Sequence, residues 1–417
     1  MIKIFQHKEA VIIKRIFLLL ICLFLAFSLF SCAEDDIIDD NSPTGNDDHT
    51  PEGEISQTDE KYPGIIFYDK GDGTCLARIC PAQIITEINI PEIRNGLTVN
   101  EIAYLGPNEF IGFVTDVTIP DTVTRIGDNT FVDFYQLENI TIPSGLTEVG
   151  ARAFYKCEAL KNITFDNNVT EIGEYAFYGC NLTSVVIKSG LIGNHSFENC
   201  TKLESIDLGE GVTEIGSLAF RNCDALGEID IPDSITSIGV GAFEECSSLK
   251  TANIGCGITK LLDIFGNCTS LTHVNIPNSV ISIEGTFSGC TALSDITLPD
   301  SITSIYDAFS GCYGLRSITV PDSVENIDGY AFTSCQNLTD IVLPTSITYI
   351  GDRAFYGCAS LTNVYYLGEA EDFSKITFGS VDTASRLTGA VYYYRQEKPT
   401  EAGSFWYYDN DGKAAIW

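Results

Sequence analysis

The chain has 417 residues and a formal net charge of −33, from 24 basic and 57 acidic side chains. That excess argues against nucleic acid or an anionic membrane surface as a partner of the protein body, so no nucleic-acid partner is expected. Its 15 Cys would suggest disulfides in a small secreted domain, but ten of them keep one repeating register, which points to packing.

Residues 1–31 carry Lys3, Lys8, Lys14 and Arg15, followed by an almost wholly apolar run from Ile16 to Phe30. A basic region before a short apolar run fits a signal peptide better than a membrane-spanning helix. The run closes on Leu29-Phe30-Ser31-Cys32, which resembles the bacterial lipoprotein processing box, although Phe30 is bulkier than that box usually holds. The resemblance implies a lipid on Cys32 as the first mature residue. An ordinary signal peptide with an incidental Cys is the alternative. Residues 32–60 follow as an expected extended tether: Ala33 to Glu60 holds eleven acidic residues and no Lys or Arg, with Pro and Gly interspersed. Glu34-Asp35-Asp36 resembles the acidic signal that sends some Gram-negative lipoproteins to the outer face of the outer membrane, and it reads equally as part of a solvated linker. Removing residues 1–31 takes away four basic residues and Glu9, which leaves the mature chain near −36.

Residues 61–106 are predicted to be an N-terminal cap plus the first repeat strand. Gly64 to Tyr68 and Thr74 to Ile79 flank Asp69-Lys70-Gly71-Asp72-Gly73, the pattern of a β-hairpin with a Gly-rich turn. The Asp pair lacks the alternating ligands and closing Glu of a calcium loop, so no metal is expected there. Cys75 and Cys80 lie five apart on one strand, pointing to opposite faces, and are not expected to pair. Ile88-Asn89-Ile90-Pro91 is the first recognisable repeat strand.

Residues 107–367 repeat. Phe110, Phe131, Phe154, Phe177, Phe197, Phe220, Phe243, Phe265, Phe287, Phe309, Phe332 and Phe355 recur at spacings of 20 to 23 residues, a period that means a stacked solenoid. Ten copies place Cys three residues after the Phe: Cys157, Cys180, Cys200, Cys223, Cys246, Cys268, Cys290, Cys312, Cys335 and Cys358. One unit reads Ala219-Phe220-x-x-Cys223-x-x-Leu226-x-x-Ile229-x-Ile231-Pro232-x-x-Ile235-x-x-Ile238-Gly239. Ile229-Asp230-Ile231 alternates as a strand with one face on a core must. Pro232 has no N–H to donate and stops the ladder. Asp233 and Ser234 suit a turn, Ile235 and Ile238 supply a second short leg, and a helical turn is predicted around the Phe. Residues 181–193 are trimmed, and a local irregularity is predicted there.

The motifs Leu-x-x-Ile-x-Ile-Pro, Ile-x-x-Ile-Gly and Ala-Phe-x-x-Cys resemble the BspA-like (Treponema-type) leucine-rich repeat family over roughly residues 85–367. The resemblance implies a mainly β, right-handed solenoid of parallel strands and short helical turns, with β-hairpin caps at both ends. It further implies a bacterial surface protein linked to adhesion and host contact. The first two repeats depart from the pattern, with Phe113 and Phe134 near the Cys slot.

As metal ligands the cysteines fail, because residues one layer apart form a line and no His partners them. Zipping ten in a row as disulfides would distort the stack. They are predicted to be a structural file of buried thiols donating weakly to nearby carbonyls, with Cys256 a loop thiol outside the register. Of four His, only His195 and His273 lie in the repeats, layers apart. No nucleophile elbow, phosphate loop or His-Glu-x-x-His occurs, and a flat strand face offers carboxylates no cleft. No catalytic residue, cofactor or metal is expected.

The outward strand positions run from Asn162 to Val342 and are acidic in the middle; Asp207, Glu228, Asp230, Asn253, His273, Asn275 and Asp295 are the candidate binding face. That face has no aromatic residue before Tyr365. Tyr155, Tyr178 and Tyr356 follow the Phe and form either an exposed ridge or a half-buried one. Asp-Ser/Thr-aliphatic at Asp121, Asp233, Asp300 and Asp322 resembles an O-glycosylation motif of some Gram-negative anaerobes, and is equally what a turn after Ile-Pro requires. Residues 368–417 are predicted to be an aromatic β cap, in which Val391 to Tyr394 and Phe405 to Tyr408 seal the last coil. The chain is therefore expected to be a monomeric, non-catalytic outer-membrane lipoprotein at the cell surface, binding a host or bacterial surface protein or glycan. Glycan capture for polysaccharide uptake and a purely structural surface role are the alternatives.

Overall fold

A computed structural model describes residues 61–417, apart from Ala82, Leu105, Asn410 and residues 107–109, 166–167, 389–390 and 401–402. The expected signal peptide, Cys32 and the acidic tether lie outside the described residues. No helix among the described residues is long and apolar enough to cross a membrane.

The described chain winds into a mainly β parallel solenoid of about 13 turns. It begins with an antiparallel hairpin, Ile65–Asp69 against Thr74–Ile79. The two turn aspartates brace it: Asp69 accepts from the Gly71 N–H at 2.8 Å and Asp72 from the Thr74 N–H at 2.9 Å. Thr74–Ile79 then pairs in parallel with Leu97–Tyr104, and from there neighbouring strands come from successive coils.

Each coil has two walls. On the first wall, a strand such as Glu228–Ile231 alternates exposed and buried residues, as the Ile-x-Ile pattern dictates. On the second wall, two- or three-residue strands such as Ser237–Ile238 stack the Ile-Gly legs. Where Lys188 and Gly209 replace the usual Pro, an N–H is available and the ladder continues around the corner. Ser184–Ile192 and Ser205–Ile215 accordingly run as single long strands through both walls, with register shifts at Ile187/Ser189 and Gly190/Leu191. This is the irregularity near residues 181–193.

After Phe110 the chain makes one 3-10 turn, Ile111–Phe113, as expected, but from Phe131 onward the Phe-bearing segments are tight turns rather than helical ones. In most coils a left-handed residue stands two before the Phe and another two after it, as with Leu218 (φ 56°) and Asn222 (φ 57°) around Phe220. That alternation lets the turn build its own ladder along the stack: Leu218, Phe220 and Asn222 donate N–H bonds of 3.0, 2.8 and 2.9 Å to Val240, Ala242 and Glu244 of the next coil. A helix would have spent those groups within itself.

Inside, the rings of Phe131, Phe154, Phe177, Phe197, Phe220, Phe243, Phe265, Phe287, Phe309, Phe332 and Phe355 form one stack, with centroids 4.8 to 6.1 Å apart and planes within 24°. The ten cysteines of the repeat run beside it, fully buried, and each thiol donates to the carbonyl of the Phe one coil earlier, at 3.0 to 3.4 Å. Phe134 fills the same slot in its coil and is also fully buried.

The C-terminal cap differs from a purely β cover. Thr377–Phe378 pairs with Tyr349–Ile350 and Val391–Tyr394 with Asn363–Tyr366, both in parallel, so one more coil is laid down past residue 367. It carries two helices, Ala370–Phe373 and Val381–Thr388. Glu371 and Asp372 favour the start of the first, and the Ser380 hydroxyl accepts the Thr383 N–H at 3.4 Å to cap the second. Val391–Tyr394 and Phe405–Tyr408 are parallel neighbours; the hairpin is Phe405–Tyr408 with Ala414–Ile416. The aromatics divide between two sides: Tyr366 and Phe373 close the main core, while Trp406 packs with Val342 and Tyr365 on the opposite face.

Candidate functional site

Five of the seven candidate residues lie on one exposed three-stranded sheet, Glu228–Ile231, Thr251–Ile254 and His273–Asn275. Parallel register aligns Glu228, Thr251 and His273 in one column and Asp230, Asn253 and Asn275 in the next. Within the second column Asn253 donates to Asp230 at 2.6 Å, and in the first Thr272 bonds the His273 Nδ1 at 2.9 Å. Asp207 stands outside this sheet. It lies on Ser205–Ile215, which pairs with its other neighbours but not with Glu228–Ile231, and it forms an ion pair with Lys188. Asp295 is exposed but lies on no strand, because the first-wall ladder is interrupted after His273–Asn275 and resumes at Ser317–Thr319.

The outward face is shorter than its sequence pattern. Val342 occupies an outward position yet is 7 % exposed, and Tyr365 is 4 % exposed. The hairpin that follows Val391–Tyr394 brings Trp406 over both, with its indole N–H donating to the Tyr366 carbonyl at 3.0 Å. The Tyr365 hydroxyl, desolvated and near Asp340, is pushed up to about 12.

At the other end the face is longer than its sequence outline. Asp116 and Asn139 hold the outward positions before Asn162, and a cavity of about 400 Å³ opens there, lined also by Glu138, Ile140 and Lys161. The signal was present in Val117-Thr118-Ile119-Pro120 and Ile140-Thr141-Ile142-Pro143, which carry the strand alternation without the Cys.

Along the turns, Tyr155 and Tyr178 are half-buried and stack at 4.9 Å, while Tyr356 is 60 % exposed. His195 stacks on Tyr175 at 4.4 Å and meets Glu198, whose carboxylate also bonds Arg221 at 3.3 Å. His195 and His273 are thus held in separate surroundings.

Burial pushes up the thiols of Cys157, Cys200, Cys223, Cys246, Cys268, Cys290 and Cys312, that of Cys290 to about 12, and a buried protonated thiol is unreactive. Cys256 is exposed and takes its backbone bond to Asp233 at 2.7 Å. The hydroxyls of Ser234 and Ser301 donate to the Val212 and Val280 carbonyls at 2.7 and 2.6 Å, and Ser323 does the same to Ile302. The Asp-Ser turns are therefore spent on stacking one coil upon the next. Among the described residues no three His, Cys, Asp or Glu side chains converge as a metal site.

Twin walls of parallel strands, stacked coil upon coil around a single file of Phe rings, define a leucine-rich-repeat solenoid. The pattern of the BspA type Leucine rich repeat region matches residues 85–192, 170–284 and 261–383, and the chain belongs to that family. Solved structures with a similar fold include a leucine rich cell surface protein from Faecalibacterium prausnitzii A2-165, at 29% identity over 78% of this chain and 97% of that one, with a TM-score of 0.47. A leucine-rich repeat protein from Bacteroides ovatus ATCC 8483 is similar at 26% identity over 80% and 98% of the two chains, with a TM-score of 0.46. The pneumococcal vaccine antigen PcpA is similar at 15% identity over 81% and 96%, with a TM-score of 0.46. The comparison with curated proteins returned no match.

Proposed function

We propose that the protein is a non-catalytic, lipid-anchored binding protein of the bacterial outer membrane, adhesin-like, acting as a monomer on a host or bacterial surface partner. The observation that carries this reading is the exposed polar sheet Glu228–Asn275, on which, among the described residues, no metal-binding cluster of His, Cys, Asp or Glu converges. Stacked repeats favour such a use, because they give extended surfaces without a deep pocket. The anchor rests on Leu29-Phe30-Ser31-Cys32 and the acidic segment after it. Protease shaving of intact cells, beside a Cys32→Ala variant, tests it. Loss of the protein from shaved cells and release of the variant from the membrane are expected. Protection from protease would place the solenoid in the periplasm, and the adhesin reading would fall.

A further inference from the structure

The first wall carries an outward column with one polar residue per coil: Asp116, Asn139, Asn162 and Ser184. Two bonds tie it together, Asn139 Nδ2 to Asp116 at 2.7 Å and Ser184 Oγ to Asn162 Oδ1 at 2.9 Å. No such bond joins Asn139 to Asn162. The backbone ladder breaks at the same layer, since Asn139–Ile140 pairs back to Asp116–Thr118 and Asn162–Phe165 pairs forward to Ser184–Ile192. Two independent ladders stop at one place, and the cavity of about 400 Å³ lies there.

Its chemistry is mixed. Asn139 gives its N–H to Asp116 and keeps its Oδ1 as an acceptor. Asn162 is the reverse: Thr183 and Ser184 both donate to its Oδ1 at 2.9 Å, which leaves its Nδ2 as a donor. Lys161 and Glu138 have no ion-pair partner among the described residues and add one donor group and one acceptor group. Half-buried Ile140, packed against the core, also lines the cavity and gives it an apolar wall. Asp116 is held ionised, because Thr115 and Asn139 both donate to its carboxylate. Closely set donors and acceptors beside an apolar wall match a polyhydroxylated ring, in which each hydroxyl gives one hydrogen bond and takes another. The volume suits a small ligand. The field of a chain at −33 disfavours an anionic one.

We propose that the gap between Asn139–Ile140 and Asn162–Phe165 binds a neutral saccharide, with one ring over Ile140 and hydroxyls bridging Asn139 and Asn162. This site is separate from the Glu228–Asn275 sheet and does not rest on the adhesin reading. Saturation-transfer NMR on the purified full chain, in a detergent without sugar headgroups, tests it against neutral hexose, N-acetylhexosamine and uronic-acid oligosaccharides. At least one neutral oligosaccharide is expected to bind. Asn139→Ala and Lys161→Ala, both changes to exposed side chains, should each weaken it tenfold or more without lowering the unfolding midpoint, and Asn275→Ala should leave it unchanged. Binding by none of the neutral sugars, binding by the uronic acids alone, equal binding by both gap variants, or equal loss in Asn275→Ala would overturn the proposal.

Discussion

Replacing Phe220 with Ala tests whether the ring stack holds the solenoid together. Phe220 is fully buried, and its ring lies 5.1 Å from Phe197 and 5.3 Å from Phe243. Emptying such a site costs about 3–5 kcal/mol, the range of large-to-small core changes. Within that figure, each lost ring contact accounts for about 0.5–1.5 kcal/mol. Phe355 is equally buried but stacks only on Phe332, at 5.2 Å, so Phe355→Ala should cost less by about one ring pair, roughly 1 kcal/mol. The assay is urea unfolding followed by far-ultraviolet circular dichroism, which reads the whole stack. Tryptophan fluorescence beside it reads only the C-terminal end, where Trp406 and Trp417 lie. A central lesion should also part the two signals, since each coil is held only by its neighbours. A loss below about 1 kcal/mol for Phe220→Ala, or a larger loss for Phe355→Ala, would show that the rings fill space without coupling the coils.

Two further outcomes follow from the same geometry. Ser334 is left-handed at φ 62°, in the slot that Gly179, Gly289, Gly311 and Gly357 fill elsewhere, so Ser334→Gly should raise stability by up to about 1 kcal/mol in the same urea assay; a loss would show that the Ser side chain matters more than the backbone. Burial holds the carboxyls of Glu244, Asp263, Asp307 and Asp328 above their ordinary range. A raised folded-state value means the folded chain binds protons more tightly than the unfolded one. Stability should therefore rise as pH falls through those values, with the gain complete below the unfolded values of about 4. Exposed Asp72 and Asp233 and half-buried Asp116 are shifted the other way and act only at the lower end of that span. The urea midpoint should thus be higher at pH 5 than at pH 8, and a lower one would contradict the sign.

The repeated roles were legible because a residue that does the same job in every coil recurs at a fixed spacing. Phe, Cys, Leu and the two Ile legs could be placed in the core from the period alone. The trimmed stretch at residues 181–193 marked where the wall would change. The backbone of the turns was not legible. Tyr175, Leu218 and Tyr330 adopt left-handed conformations that such residues seldom take, and their N–H groups bond the next coil from there. Nor could sequence alternation show that Trp406 would cross over Val342 and Tyr365, since that depends on where a hairpin folds in space.

What could set this chain apart from any other stack of the same repeat lies in its interruptions. A regular coil offers its neighbour every backbone bond and a matching side chain, so a perfect stack presents a uniform wall with nothing on it to recognise. Each break in the first wall changes that: Asp207 is separated from the central sheet, Asp295 leaves the ladder, and the gap beside Asn139 opens a cavity. The second-wall sheet, by contrast, runs unbroken through six strands from Lys260–Leu262 to Thr377–Phe378 in the same part of the chain where the first wall is split at Asp295. The inner ring stack also passes every break without exceeding 6.1 Å. The second wall has its own break, between Ser237–Ile238 and Lys260–Leu262, so stability across the breaks is carried chiefly by the file inside. Selectivity should accordingly respond to changes at Asn139 or Asp207 far more than global stability does, while changes in the Phe file should do the reverse.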